Sequence, residues 1–526
     1  MGLETLDLII LVAYGVALVG IAWFVSREKA GHAKNTEDYF LAGRALPWWA
    51  IGASLIAANI SAEQIIGMSG SGYVVGLAIA SYEWMAAATL LIVGKFFLPI
   101  FLKRGIFTMP QFLEQRYDAR VKFVMSIFWL GLYTFVNLTA ILWLGATAIN
   151  TLTGLNVTLA LGALAAFAVL YSLYGGLKAV ALTDIFQVVL LVLGGLLIAW
   201  ISLDTVANGA GPVAGFQVLL DNAPDKFDMI LDRQHAEYVN LPGLGVLIGG
   251  MWMMNLSYWG FNQYIIQRAL GAKSLNEAQK GIVFAAFLKL LMPLIIVIPG
   301  IAAFVLSQNP DSAVQVTRPD AAYPSVLALA PVGIRGLIFA ALVAAIVSSL
   351  GSMMNSISTI FTLDVYKPLH KGIESERHLV GVGRIASLTA IFIAVCVAQP
   401  LLGGFPQAFQ YIQEFTGFFT PGICAIFLLG LFWKSANGEG ALAAALGSFL
   451  LSVGGKLLFP DIPFMDRVLY VFFACVFLMV ILGIVRRRDQ HGAVDLKDVD
   501  FSTSTGYLAG SAMIVGALIA LYWAFW

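Results

Sequence analysis

The sequence predicts an all-α polytopic membrane protein, and its composition is the first reason. Of 526 residues, 60% are apolar and only 11% are charged, and the mean hydropathy is +0.87. A soluble globular chain carries about 25% charged residues, so this chain lacks the polar side chains to cover a water-facing surface. A soluble enzyme, a nucleic-acid binder and a disordered scaffold are therefore excluded. The formal net charge of zero also gives no bulk field that would attract polyanions.

Fourteen apolar runs are long enough to cross a bilayer, because about 20 residues span the roughly 30 Å of hydrocarbon. They are continuous rather than ten-residue alternations, so they predict fourteen transmembrane helices and exclude a β-barrel. We number them spans 1 to 14: 6–26, 47–68, 73–101, 122–150, 155–174, 180–203, 242–264, 279–307, 332–366, 379–401, 405–433, 437–459, 465–486 and 506–526.

Lysine and arginine concentrate in the connections that follow the odd-numbered spans. Positively charged loops face the cytoplasm, so these connections are predicted to be cytoplasmic and both termini extracytoplasmic. The opposite side has few such residues, namely Lys226, Arg233, Arg318, Arg335, Lys456 and Arg467. We therefore expect a multi-pass protein of the cell (inner) membrane, surrounded by lipid bilayer.

Span 2 contains four polar side chains within six positions, namely Asn59, Ser61, Glu63 and Gln64, and a glycine-rich stretch follows. Polar groups inside hydrocarbon are costly, which makes them functional candidates. The pattern predicts a discontinuous helix whose freed carbonyls bind a cation. A helix end packed against polar neighbours would have the same composition.

Span 7 surrounds Gly260 with amides, a hydroxyl and aromatic rings, in the order NLSYWGFNQ from Asn255 to Gln263. Amides exchange hydrogen bonds with hydroxyl groups, and aromatic faces cover apolar C–H bonds, so this mixture suits a polyhydroxylated ligand. An interfacial aromatic belt with helix–helix hydrogen bonds is the alternative.

Span 9 carries small and hydroxylated residues at spacings of three and four, which form one helix face. They are Ala345, Ser348, Ser349, Ser352, Ser356 and Thr359. Hydroxyl oxygens opposite the freed carbonyls of span 2 predict an all-oxygen site for a hard monovalent cation. Close helix packing explains the same stripe without any ion.

Three single charges lie within or near spans. Glu83 lies inside span 3, and Lys289 lies about 15 Å from the end of span 8, where it needs a cavity or a partner unless its stem reaches the interface. Asp184 lies near the cytoplasmic start of span 6. It is either a solvated interfacial acid or part of an ion path.

The predicted breaks in spans 2 and 7 are five spans apart, so the two broken helices run in opposite directions. This arrangement is typical of inverted repeats. The predicted division is an extra span with a cytoplasmic loop, a first repeat of spans 2–6, an extracellular loop, a second repeat of spans 7–11, and extra spans 12–14. The boundaries are 1–46, 47–203, 204–241, 242–433 and 434–526.

Eight stretches that are distributed almost end to end along the chain carry a resemblance to a known family. They are TEDYFLAGRALPWWAIGASLIAANISAEQIIGMSGSGY, GLAIASYEWM, LYTFVNLT, TDIFQV, WGFNQYIIQR, AQKGIVFAAFLK, AAIVSSLGSMMNS and QAFQYIQEFTG. In these stretches the sequence resembles the sodium:solute symporter family, in its sodium/glucose–galactose branch. The resemblance implies a LeuT-like core of five plus five inverted spans and symport of sodium with a solute by alternating access.

The resemblance also implies roles for particular residues. Sodium, the co-transported ion, would be bound at Ala57, Ile60, Ala345, Ser348 and Ser349, and would leave past Asp184. The sugar would be bound by Gln64, Glu83, Asn137, Asn255, Tyr258, Asn262, Lys289 and Gln413. Tyr258 and Trp259 would form the inner gate, while Met68, Tyr82 and Phe409 would close the outer side.

Two departures concern sugar preference. Ala86 stands where the family has a serine, and Ser257 stands where a branch member has a tyrosine. The leading function is sodium-driven import of galactose or glucose. Sialic acid, myo-inositol, proline or a carboxylate are alternatives on the same fold. A transporter-like sensor, a channel and a membrane enzyme fit less well, because no signalling domain and no nucleophile–base pair is present in the sequence.

Overall fold

The computed structural model describes residues 3–25, 44–370, 375–404, 407–486 and 492–526, without the side chains of residues 19, 22–25 and 171–186. Much of the loop after span 1 lies outside these residues, as do the first two positions of span 11. The regular structure of the described residues is helical. The main helices are Thr5–Val25, Trp48–Asn59, Glu63–Val74, Leu77–Lys103, Met109–Arg116, Ala119–Thr153, Val157–Val206, Pro212–Asn222, Leu244–Ile248, Gly250–Leu256, Ser257–Phe261, Gln263–Leu270, Leu275–Ser307, Ala322–Leu327, Ile334–Leu369, Glu376–Leu402, Ala408–Gly417, Thr420–Phe432, Gly438–Leu458, Phe464–Val485 and Thr505–Ala524.

Nine helices of the described residues are long and apolar enough to cross a membrane, and two bent pairs bring the number to eleven. In the helices Thr5–Val25 and Val157–Val206, the apolar parts Thr5–Leu18 and Val157–Leu170, whose side chains the structure describes, are too short to be counted among these nine. Span 7 consists of several short helices between Leu244 and Leu270. An all-helical polytopic protein is therefore observed, while the number of fourteen spans stays a prediction.

Spans 5 and 6 are not separated by a non-helical connection, contrary to the sequence prediction. The backbone is helical throughout Val157–Val206. The predicted connection, residues 175–179, is only five residues long and ends in Leu177, Lys178 and Ala179, which are good helix formers. The local sequence therefore does not force the chain out of a helix at this point.

Span 2 is broken between Asn59 and Glu63, and its two halves are bent by 61°. Ile60 leaves the helix with φ −71° and ψ 85°. The N–H of Ser61 donates to the carbonyl of Asn59 at 2.8 Å instead of to Ala57 four residues back. The Ala57 carbonyl thereby loses its usual helical partner.

Span 7 is interrupted at Asn262, two residues after Gly260. Asn262 has an extended backbone, with φ −86° and ψ 123°, between the π-helical turn Ser257–Phe261 and the helix Gln263–Leu270. The N–H of Gln263 at this break donates to the Tyr133 hydroxyl at 3.0 Å. A side chain from span 4 therefore satisfies a backbone group that the break exposes.

A third bend, of 46°, divides span 11 into Ala408–Gly417 and Thr420–Phe432. This bend was not predicted from the sequence. Gly417 ends the first helix, and Pro421 lies in the first turn of the second, where a missing N–H costs nothing. This pair of residues was the available signal.

Span 9 lies at the centre of the protein and spans 12 to 14 lie at its edge. Of the most apolar stretch of Ile334–Leu369, 94% is buried, against 22% for Thr505–Ala524. Spans 2 and 8 cross closely, since a Cβ added to Gly281 would lie 2.8 Å from the Trp48 carbonyl oxygen. This crossing places the middle of span 8, with Lys289, against the break in span 2.

Candidate transport site

A cavity lies between the break of span 2, the π-helical turn of span 7, and spans 3, 4, 8 and 11. Its walls combine amides, carboxylates, a lysine, hydroxyls and aromatic rings with a few aliphatic groups. The lining residues are Asn59, Glu63, Gln64, Tyr82, Glu83, Ala86, Trp129, Leu132, Met254, Asn255, Ser257, Tyr258, Trp259, Asn262, Lys289, Phe409, Gln413, Thr416, Thr420 and Ile423.

An ion pair between Lys289 and Glu83 forms one wall of the cavity. The Lys289 Nζ lies 2.5 Å from Glu83 Oε2, and both side chains are 1% exposed. Lys289 also donates to Asn59 Oδ1, and its Nζ lies 5.0 Å from the centre of the Trp259 ring. The lysine therefore does not reach the interface, because a carboxylate and an amide satisfy it within the protein.

Gln64 links this pair to the broken helix. Its Nε2 donates to Glu83 Oε1 at 2.9 Å and to Asn59 Oδ1 at 3.4 Å. Its Oε1 is buried and accepts no hydrogen bond from the described residues, and the hydroxyl of Tyr82 likewise has no partner among them. These two groups remain available to a hydroxylated ligand.

Tyr258 connects the two broken helices. Its hydroxyl accepts a hydrogen bond from Asn59 Nδ2 at 3.0 Å and bonds the hydroxyl of Tyr264. Its ring lines the cavity and lies edge-on to Trp259, with ring centres 5.2 Å apart. The tyrosine thus presents a ring to the cavity while its hydroxyl is held by spans 2 and 7.

Two of the three predicted outer-gate residues meet at the cavity. The rings of Tyr82 and Phe409 are edge-on with centres 5.2 Å apart, and both line the cavity. Met68 is fully buried but lies outside the lining. The structure therefore brings Tyr82 and Phe409 together and does not bring Met68 to the cavity wall.

The remaining predicted sugar-binding residues divide into two groups. Asn255, Asn262 and Gln413 line the cavity; Asn262 accepts from the Tyr133 hydroxyl, and Gln413 Nε2 donates to Glu63 Oε1 at 3.4 Å. Asn137 is buried but lies outside the lining. Its Oδ1 accepts no hydrogen bond from the described residues.

The five predicted sodium ligands lie on spans 2 and 9, where these two helices contact each other. Ala57, Ile60, Ala345, Ser348 and Ser349 are all fully buried. Ser349 Oγ donates to the Ala58 carbonyl at 3.2 Å, which joins span 9 to the last turn before the break. Carbonyl and hydroxyl oxygens are the ligands that a hard cation prefers. The side chain of Asp184, on the predicted sodium exit path, lies outside the described residues.

Three residues of this network had no predicted place in the binding set, namely Asn59, Glu63 and Tyr264, although Asn59 and Glu63 were among the functional candidates of span 2. Asn59 accepts hydrogen bonds from Lys289 and Gln64 and donates one to Tyr258. It therefore connects three of the predicted site residues. Its signal was present, because it belongs to the polar cluster of span 2. Tyr264 gave no comparable signal, since it follows the break in an ordinary amphipathic helix.

The arrangement can bind a neutral molecule rich in hydroxyl groups. Among the described residues, no arginine lines the cavity, and its two carboxylates outnumber its single lysine. A bound carboxylate would therefore meet no arginine and a lysine that is already paired with Glu83, whereas sugar hydroxyls can donate to carboxylates and amides and accept from amides and the lysine.

The family model of the sodium:solute symporter family matches residues 39–447. The chain belongs to this family. It is 48% identical to the sodium/glucose cotransporter of Vibrio parahaemolyticus, over all of this chain and 99% of that protein. It is 34% identical to the sodium/myo-inositol cotransporter 2 of Mus musculus, over 86% of this chain and 70% of that protein.

A solved structure of a Na+-coupled sialic acid symporter, substrate-bound and outward-open, has the same fold. Its TM-score is 0.80 at 23% identity, over 92% of this chain and 98% of that chain. The family places this chain among sodium-coupled transporters, so the expectations that it is not an enzyme and that sodium is co-transported are confirmed. The chain is a polytopic membrane symporter that moves sodium with a solute.

Proposed function

We propose that this symporter imports a neutral hexose of the galactose or glucose type together with sodium. The observation that carries the proposal is the cavity at the two helix breaks, where amides, carboxylates and Lys289 surround aromatic rings. Such a lining suits a pyranose, whose hydroxyls need paired donors and acceptors and whose C–H face packs on a ring. The 48% identity to a sodium/glucose cotransporter supports the same substrate class.

A cyclic polyol such as myo-inositol is the second candidate. The relatives named as myo-inositol cotransporters are 34% identical over 86% of this chain, and the cavity chemistry suits any ring with several hydroxyls. Sialic acid and proline fit less well because both carry a carboxylate. The two carboxylates of the cavity, Glu63 and Glu83, would repel that group.

The proposed sodium site consists of the carbonyls of Ala57, Ile60 and Ala345 and the hydroxyls of Ser348 and Ser349. The freed Ala57 carbonyl and the contact of Ser349 with span 2 support it. Asp184 is proposed to lie on the cytoplasmic exit route. A sodium ion that bridges spans 2 and 9 would hold together the helices that alternating access separates.

The proposed transport cycle uses two gates around one cavity. Tyr82 and Phe409, with Met68 behind them, close the outer side, and Tyr258 with Trp259 closes the inner side. The proposed sugar shell is completed by Asn255, Asn262 and Gln413, with Asn137 near it but outside the cavity lining. The inverted repeats 47–203 and 242–433 are proposed as the units that move. Both termini are proposed to lie on the extracytoplasmic side of a bacterial-type inner membrane.

The driving force is adequate for accumulation. One sodium ion that moves down 100 mV releases roughly 2.3 kcal/mol, and a tenfold sodium gradient adds about 1.4 kcal/mol. At one sodium per sugar, the sum of about 3.7 kcal/mol supports a sugar ratio on the order of 500-fold.

The test is uptake into proteoliposomes under an imposed sodium gradient. Labelled galactose, glucose, myo-inositol, sialic acid and proline are compared, with a potassium gradient as the control. We expect sodium-dependent accumulation of a hexose and none of sialic acid or proline. Uptake of proline or sialic acid in preference to every sugar and polyol would refute the proposal.

Ser349→Ala is expected to weaken sodium-driven accumulation more than sugar binding at saturating sodium. The change removes one hydroxyl from an all-oxygen site, which costs about 1–3 kcal/mol and raises the sodium concentration for half-maximal uptake. Ser387→Ala removes a comparable hydroxyl that donates to the Met354 carbonyl of span 9, and serves as the control. An unchanged sodium dependence in Ser349→Ala would remove this residue from the sodium site.

Gln64→Ala is expected to reduce sugar affinity strongly. Gln64 lines the cavity, and the variant loses its Oε1, which has no partner among the described residues, and a donor to Glu83, together about 2–4 kcal/mol. The measurement is the concentration of sugar for half-maximal uptake at saturating sodium. Gln217→Ala, in an exposed helix outside the spans, is the control. A normal sugar affinity in Gln64→Ala would make the residue a structural link only.

A further inference from the structure

Arg268 is a buried cation that belongs neither to the proposed sodium site nor to the sugar cavity. It is 1% exposed, and it lies near the end of the helix Gln263–Leu270, which follows the break of span 7. Holding a guanidinium inside a membrane protein is costly unless its donors are satisfied. Its partners therefore indicate what it does.

The guanidinium contacts three different helices. Its Nε donates to Ser54 Oγ at 2.8 Å, in the half of span 2 that precedes the break. Its Nη2 donates to Ser352 Oγ on span 9, and its Nη1 donates to the Tyr264 carbonyl of its own helix. A planar fork of five donors is suited to such multiple contacts, and the single ammonium of lysine is not.

One branch leads to the proposed sodium site. Ser352 Oγ accepts from Arg268 and donates to the carbonyl of Ser348 at 2.8 Å. Ser348 is a proposed sodium ligand, and Ser352 lies one helical turn away from it. The position of the guanidinium is thus tied to the orientation of the helix that binds sodium.

The other branch leads to the proposed sugar gate. Arg268 holds the backbone of Tyr264, whose hydroxyl bonds the hydroxyl of Tyr258. Tyr258 in turn accepts from Asn59, which contacts both Lys289 and Gln64. A series of contacts therefore runs from the Ser348 carbonyl through Ser352 and Arg268 to the Tyr264 carbonyl, and from the Tyr264 hydroxyl to Tyr258 at the sugar cavity.

We propose that Arg268 is a positioning residue that couples sodium binding on span 9 to the inner sugar gate at Tyr258. The inference rests on the proposed function of the two sites. Sodium at Ser348 and Ser349 would fix span 9 against span 2. Arg268, which bonds both helices, would then hold Tyr264 and Tyr258 in the closed position, so that sodium strengthens sugar binding. Loss of sodium would loosen this series of contacts and allow the gate at Tyr258 to open.

The measured quantity is the coupling ratio, the dissociation constant for sugar without sodium divided by that at saturating sodium. Purified full-length protein and labelled galactose are used, with glucose and myo-inositol in parallel. Coupling free energies between sites commonly correspond to 5- to 150-fold changes in affinity, so we expect roughly tenfold or more for the unaltered protein. If sodium affects the binding of none of the three, the proposed function fails, and this inference fails with it.

Two variants on either side of Arg268 test this series of contacts without removing the positive charge of the arginine. Ser352→Ala breaks the branch to the sodium site, and Tyr264→Phe breaks the branch to the gate. Each is expected to lower the coupling ratio by about three- to tenfold, because sugar affinity at saturating sodium falls while sugar affinity without sodium changes less than threefold. Because both changes interrupt one series of contacts, the coupling ratio of the double variant should be no lower than that of the single variant with the lower ratio.

Two controls separate coupling from general loss of packing. Ser387→Ala removes a buried hydroxyl bond between spans 10 and 9, and Tyr507→Phe removes a buried tyrosine bond to the Leu91 carbonyl. Both should keep the coupling ratio of the unaltered protein. Equal losses in these controls would overturn the inference, because any buried bond would then have the same effect.

Replacement of the arginine itself completes the test. Arg268→Gln should reduce the coupling ratio to about one to two, and Arg268→Lys should restore part of it. A coupling ratio in Arg268→Gln equal to that of the unaltered protein, or additive losses in the double variant, would overturn the inference. If Arg268→Gln does not fold, the two single variants and their double variant decide the question alone.

Discussion

Lys289→Ala is expected to abolish sodium-driven sugar uptake, with a loss of at least 100-fold. The substitution removes an ammonium that binds Glu83 and Asn59 at the cavity wall. It also leaves Glu83 as a buried carboxylate whose remaining side-chain donor among the described residues is Gln64, and breaking such a buried pair costs about 3–5 kcal/mol. Uptake of labelled hexose in proteoliposomes measures the transport loss, and thermal unfolding measures the stability loss.

A charge-balanced double variant separates these two effects. Lys289→Met with Glu83→Gln removes both charges, so most of the stability should return, because a neutral amide needs no counter-ion. Sugar uptake should stay absent, since the donors and acceptors for the sugar are still changed. Lys456→Ala breaks a partly exposed ion pair with Glu414 and should transport normally. Normal transport by Lys289→Ala would reassign this lysine to a purely structural role.

Tyr258→Ala is expected to eliminate coupled accumulation, whereas Tyr258→Phe is expected to keep a measurable part of it. Alanine removes the ring that lines the cavity and the barrier toward the cytoplasm, so the sugar loses its stacking surface and the gate stays open. Phenylalanine keeps the ring and gives up the hydrogen bonds to Asn59 and Tyr264. At about 1 kcal/mol for each bond, we expect a reduction of roughly five- to thirtyfold.

Accumulation against an imposed sodium gradient at matched expression measures this difference. Equilibrium exchange of labelled sugar, measured in parallel, reports whether the alanine variant leaks. Tyr470→Ala removes a tyrosine that is 58% exposed on a peripheral span and should behave like the unaltered protein. A Tyr258→Ala protein that still concentrates sugar fully would make Tyr258 a packing residue and remove it from the mechanism.

The membrane class and the helical architecture follow from the sequence because both depend on local properties. An uninterrupted apolar stretch must be helical in lipid, since no other local structure satisfies its own backbone. Polar residues in such a stretch are conspicuous for the same reason, which is why the break in span 2 was predicted close to its observed place after Asn59. The break in span 7 was predicted near Gly260 and lies at Asn262.

The helix boundaries that the sequence missed depend on weaker local signals. The continuous helix Val157–Val206 contains the pair Gly175 and Gly176, which local reasoning took for a connection. The bend between Gly417 and Thr420 was not predicted, although Gly417 and Pro421 gave a local signal for it. Glycine and proline change helix stability by about 1 to 3 kcal/mol, so packing against neighbouring helices decides whether the helix continues or bends.

The candidate site illustrates the same division. The sequence by itself determined which residues are costly in a membrane, and therefore that Gln64, Glu83, Asn255 and Lys289 need partners or a ligand. Only the tertiary structure decided which residues pair. Lys289 and Glu83 are 206 positions apart, and Arg268 and Ser352 are 84 apart. Pairing over such separations depends on how whole helices cross, as spans 2 and 8 do at Gly281. The cost of burying one charged side chain shows that it needs a partner but does not identify which residue that partner is.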